Sequence, residues 1–277
     1  MKEEGQTEEY SEHVRVQSLL TRLSKGCDLT LRDDEFDFSW LLDLVRSCRR
    51  EGCRFRLIDS GALDASELEW LGKAGADVYS SDEAGRKPGE LELVNLACRR
   101  GGALSSFLLR SPLRCEEERE FLFSDMINLG LSGVYLFLSS SEAAYDFSAL
   151  SELAFSCRRG GSWLVYYHHR SPEEGLELLA RSGAWIHLAD RYFQGSSDLE
   201  ALKEIVRGSG KGRNHFIIHI EKKWQTVYIE ALVEADAFLL FMPALSDYRS
   251  PLRPLEERAM KKSLDFRTFY LYPDVFI

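Results

Sequence analysis

Cys48-Arg49-Arg50-Glu51-Gly52, Cys98-Arg99-Arg100-Gly101-Gly102 and Cys157-Arg158-Arg159-Gly160-Gly161 share one grammar. In each, an amphipathic run ends in a cysteine and two arginines, glycine follows, and a β-rich run begins. Arginines in a last helical turn complement the negative end of the helix dipole, and glycine supplies a left-handed C-cap. Val206-Arg207-Gly208-Ser209-Gly210 is a looser fourth copy.

Working outward, each copy leads into a strand, a helix and a second strand. The first strands are expected at 53–59, 103–109, 163–169 and 215–221. The second follow small-residue helix exits, at 76–80, 133–139, 185–190 and 238–242. Several alternate in polarity: Phe55 and Leu57 oppose Arg54 and Arg56, and Phe216, Ile218 and Ile220 oppose His215, His219 and Glu221. One apolar face toward helices and one mixed face toward an interior suits a barrel. The central strands of an open doubly wound sheet, the competing architecture, are buried on both faces and read as unbroken apolar runs.

The expectation is therefore an α/β chain forming a (βα)8 TIM-like barrel of four (βα)2 repeats over 53–265. An N-terminal extension, 1–52, carries a helix at about 10–25, a short strand at Asp28 to Arg32 and a helix from Phe38 to Arg50. That strand is left outside the eight because it lacks the Cys-Arg-Arg lead-in. The C-terminal aromatic tail, 266–277, is too apolar to stay in water and is expected to pack on the barrel or on a partner.

The 277 residues suit one barrel, for which about 250 is typical. A formal net charge of −10 argues against nucleic acid or anionic membrane as a partner. No run of about 18 apolar residues and no leader-like start is present, so the chain is expected in the cytoplasm. The six cysteines form no CxxC pair and read as reduced structural thiols.

In such barrels the chemistry gathers at the carboxyl ends of the strands. His168-His169-Arg170 is the densest titratable cluster there, and only one of the adjacent histidines can enter the interior. The catalytic candidates are His168, His169, Asp190 and Glu221, acting as acid and base or as ligands of a divalent metal. Arg110 and Arg170, each followed by Ser-Pro, with Asp59 and Lys222, are the substrate-binding candidates. Arginines beside helix N-termini suit a phosphate or carboxylate. Serine as N-cap and proline in the first turn would equally explain Ser171-Pro172, with Glu174 completing a capping box. Arg54 and Arg56, if turned inward, need a carboxylate, for which Glu221 is the nominee.

Gly208-Ser209-Gly210-Lys211-Gly212 is not a phosphate loop, because it ends a helix instead of opening one. No dinucleotide fingerprint is present, so no nucleotide cofactor is expected. Thr30-Leu31-Arg32-Asp33 resembles the TLRD start of pyruvate-aldolase-like metallolyase barrels. The chain departs from that pattern at Asp34 and at His219-Ile220-Glu221-Lys222, and no site residue is carried over. The functional expectation is a lyase, aldolase or hydrolase acting on a small anionic molecule at the carboxyl-end mouth. The alternative is a non-catalytic barrel that binds a ligand or serves as a subunit of a homo-oligomer or larger assembly through its C-terminal tail.

Overall fold

The computed structural model describes residues 2–111, 123–141, 144–209, 215–235 and 237–241. The chain divides into two compact units, Met1–Leu108 and Leu109–Ile277. The first contains α1 (Lys2–Leu23), β1 (Leu29–Arg32), α2 (Phe38–Glu51), β2 (Phe55–Ile58), α3 (Ala65–Ala74), β3 (Ala76–Ser81), α4 (Pro88–Gly101) and most of β4 (Ser105–Leu109). The second continues with α5 (Phe123–Ser132), β5 (Tyr135–Ser139), α6 (Phe147–Gly160), β6 (Leu164–His168) and α7 (Leu176–Arg181). It ends, among the described residues, with β7 (Trp185–Ala189), α8 (Ser196–Gly208), β8 (Phe216–Ile220), α9 (Thr226–Glu234) and β9 (Phe238–Phe241). The nine strands are parallel, follow one another in chain order and alternate with helices. Among the described residues no helix is long and apolar enough to cross a membrane.

All eight expected strands form, and so does a ninth. Leu29 to Arg32 pairs with Phe55 to Ile58, so the N-terminal strand belongs to the sheet and is not an appendage to it. Its alternation explains this: Leu29 and Leu31 are buried, while Thr30 and Arg32 are exposed. The missing lead-in was the wrong criterion. A Cys-Arg-Arg helix follows β1, β3 and β5 alike, as α2, α4 and α6.

The shared grammar has a local geometry. Leu41, Leu44, Val45 and Cys48 form the buried stripe of α2, and Cys98 and Cys157 are equally buried in α4 and α6. Each such leucine contributes roughly 1.5–3 kcal/mol relative to exposure. Gly52, Gly102 and Gly161 take the left-handed cap, each N–H reaching back toward the arginine and cysteine carbonyls. The preceding glycine does something else. A Cβ on Gly101 would overlap the Gly72 carbonyl oxygen of α3, and one on Gly160 would overlap the Gly130 carbonyl of α5. These glycines let α4 cross α3, and α6 cross α5, at backbone contact. Arg49 also reaches beyond its own helix, donating from Nη1 to the Ala74 carbonyl that ends α3 (3.3 Å).

Two local expectations fail. Arg56 does not pair with Glu221. Its Nη2 lies 2.9 Å from Asp28 Oδ2, and Arg54 Nε lies 3.4 Å from Asp77 Oδ2. Strand register explains the pairing, since Arg56 stands opposite Asp77 and Asp28 immediately precedes β1. Nor does Ser171 cap a helix. The helix α7 starts at Leu176 behind Gly175 (φ 104°), and the Ser171 hydroxyl donates to the Tyr192 carbonyl (3.1 Å). Pro112, which follows Arg110-Ser111, and the C-terminal tail, 266–277, lie outside the described residues.

Candidate active site

In the second unit, register sorts the strand residues onto two faces. Tyr167 stands opposite His187, and Ala189 opposite His219. Alternation then places Tyr167 and His169, His187 and Ala189, and Ile217 and His219 on one face of β6, β7 and β8. Tyr166 and His168 take the other. Their rings meet Phe147, the first residue of α6, at centroid distances of 6.3 and 6.4 Å. His168 therefore faces the helix layer and His169 faces away from it.

His168 is 1% exposed, with Nε2 3.0 Å from the Ser171 carbonyl and 3.6 Å from Glu173 Oε1. Burial lowers its pKa, against the opposing pull of the Ser171 carbonyl and the Glu173 charge. It acts as a strut between β6 and the loop that follows.

The opposite face holds a chain of polar rings. His169 is half-buried. Its backbone N–H donates to Ser140 Oγ (2.8 Å) and its Nδ1 lies 3.0 Å from the Tyr192 hydroxyl. Tyr192 sits in the short 3-10 turn after β7, under the Arg191 guanidinium (5.5 Å to the ring centre). Arg191 Nε in turn lies 3.1 Å from Glu221 Oε1. Deeper on the same face, His187 Nδ1 is 3.0 Å from His219 Nε2, and the Tyr167 ring lies 4.6 Å from His187. Burial, reinforced by His219 and His169, holds the His187 pKa well below the ordinary imidazole range.

Asp190 is fully buried and its carboxylate is engaged on both oxygens. Oδ1 accepts the Glu221 N–H (2.9 Å), and Oδ2 accepts the Lys222 N–H (3.0 Å) and Trp224 Nε1–H (2.7 Å). It ties the loop after β8 to the end of β7. Asp33, after β1, plays the same part in the first unit, accepting from the N–H groups of Ser60, Ala62 and Leu63 and from the Ser60 hydroxyl.

Of the residues nominated from the sequence, the structure thus joins His169, Asp190, Glu221 and Lys222 around the ends of β6, β7 and β8. Lys222 Nζ reaches the carbonyls of Arg191 (3.4 Å) and Phe193 (3.5 Å). Arg170 is exposed beside His169, and Arg110 follows β4. Asp59 belongs to the first unit, where it forms a buried ion pair with Arg86 (2.7 Å) and accepts from Ser80 Oγ (2.6 Å). Tyr192 and His187 were missed. Parity along Trp185-Ile186-His187-Leu188-Ala189 was the signal for His187. Among the described residues no three His, Cys, Asp or Glu side chains are arranged to hold a metal ion. No protein-family model matches the chain, and no curated protein matches it.

Proposed function

We propose that this protein is an enzyme acting on a small anionic substrate by acid–base chemistry at the carboxyl ends of β6, β7 and β8. The carrying observation is the His169–Tyr192 pair, with ring nitrogen and phenol oxygen 3.0 Å apart on the strand face away from the helices. An imidazole titrates close to neutrality and can both take and return a proton, while the phenol orients the ring. Arg170 and Lys222, both exposed, supply positive charge beside it.

In this reading Asp190 holds the loop, and Glu221 restrains Arg191 over Tyr192. The strands curl into a barrel whose interior receives the face bearing His169, His187 and His219. The proposed chemistry is proton transfer, of lyase, aldolase or hydrolase type, in the cytoplasm. Arg110 is a further anion contact in the proposal.

The test is titration of histidine-labelled protein with inorganic phosphate and with malonate, followed by nitrogen–proton NMR. His169 resonances should move saturably, and H169A, read from the remaining histidines, or R170A should weaken binding at least tenfold. Unmoved His169 resonances, or equal binding by both variants, would overturn the proposal.

A second reading has its own observation. On the first unit, Trp70 (59% exposed), Leu93 (52%) and Leu96 (45%) stand out from α3 and α4. Exposed apolar side chains on these two packed helices suit a structural subunit that contacts another protein or another copy. Native mass spectrometry of W70A against wild type separates the readings, since loss of an oligomer favours the subunit role.

A further inference from the structure

His187 and His219 cannot both present the same kind of atom to each other. A nitrogen–nitrogen separation of 3.0 Å requires one N–H and one lone pair. His187 is 2% exposed, and its second nitrogen, Nε2, has no hydrogen-bond partner among the described residues. If His187 carries its proton on Nε2, a buried N–H is orphaned. If it carries the proton on Nδ1, a lone pair is left instead. Orphaned buried N–H groups are the rarer case.

We infer that His187 donates Nδ1–H to His219 Nε2, making it a positioning residue that locks neutral His219 with its proton on Nδ1. The inference rests on the active-site reading above for its importance, though not for its geometry. The surroundings suit a neutral donor. Tyr167 and His169 face His187 from β6, and His219 faces it from β8. The groups that act electrostatically on it, His219 and His169, are cationic when protonated. A proton added at His219 Nε2 itself would have to break the existing bond, because that nitrogen's lone pair is the acceptor.

The experiment is long-range nitrogen–proton correlation NMR on histidine-labelled full-length protein at pH 7.5, with resonances assigned from single variants. The wild-type spectrum should show both His187 and His219 protonated at Nδ1. In H187N the amide can donate to the same Nε2, so His219 should keep that pattern. In H187F the donor is lost, and the Nδ1–H form of His219 should fall to a minority. An Nε2–H pattern at His219 in wild type, or an H187F spectrum unchanged at His219, would overturn the inference. Wild type decides even where H187F fails to fold. Failure of the anion titration with the tautomer pattern intact would remove the proposed function and leave this assignment standing.

Discussion

Replacing Asp190 tests whether the buried carboxylate at the end of β7 supports the loop after β8 or carries protons. The side chain is 0% exposed and accepts three hydrogen bonds at 2.7–3.0 Å, from Glu221 N–H, Lys222 N–H and Trp224 Nε1–H. A hydrogen bond to a charged acceptor is worth about 1.5–3 kcal/mol. The three share one acceptor and are not additive, and burying the charge has its own cost. D190A should therefore cost about 4 kcal/mol. D190N, which keeps one oxygen but turns an NH2 toward a donor, should cost about 2–3 kcal/mol. At about 2–4 °C per kcal/mol for a chain of this size, D190A should lower Tm by about 8–16 °C. Trp224 fluorescence reports locally on the same unit, and W224F, which removes one bond, should cost about 1–2 kcal/mol. A cycle combining D190N with W224F should show a coupling of about 1 kcal/mol. If D190N lies within about 0.5 kcal/mol of wild type, Asp190 does not anchor the loop and the proton-carrying role returns to it.

The remaining predictions concern packing, pH and thiols. G101A and G160A should each cost about 3 kcal/mol or more in urea unfolding, because the added methyl meets a backbone carbonyl that cannot move aside. G52A, whose Cβ meets open space, should cost only about 1 kcal/mol of left-handed strain, and equal losses would refute the helix-crossing argument. Burial, aided by Arg158, lowers His215 to about 4, so the unfolded chain binds a proton near pH 6.5 that the folded chain refuses. Stability should be full above pH 7, fall by about 2 kcal/mol at pH 5 from this residue, and level below pH 4. H215F should flatten that slope, and an unchanged slope would refute the assignment. Burial pushes Cys48, Cys98 and Cys157 up to about 12, so they should resist a thiol reagent at pH 8, whereas exposed Cys27 should react first. Rapid labelling of Cys98 in folded protein would contradict the packing.

Strand positions were legible because a two-residue period and glycine-capped helix ends are local properties. Residues 76–80 and 133–139 show this, appearing as Ala76–Ser81 and Tyr135–Ser139. What failed depends on neighbours that the chain supplies from afar. Arg56 finds Asp28 because β1 joins β2, and that pairing is invisible to a criterion based on the segment before each strand. The two glycines of Cys-Arg-Arg-Gly-Gly look alike in sequence. Only the crossing of α4 over α3 shows that Gly102 caps a helix while Gly101 lets two backbones touch.

The same limit governs the strand ends. A polar residue at a strand end can turn inward, catch the next loop or pair with an arginine, and composition is silent between these. Asp190, Asp33 and Asp59 all end or follow strands and all accept backbone N–H groups, yet only Asp59 also neutralises a buried arginine, Arg86. His168 and His169 differ by a single step of the pleat, which sends one against Phe147 and the other to Tyr192. One aromatic residue at the start of α6 thus marks which histidine faces the helix layer. In a strand of alternating faces, the position of the helix layer carries the functional information, and candidate lists drawn from strand ends need that reference before they are ranked.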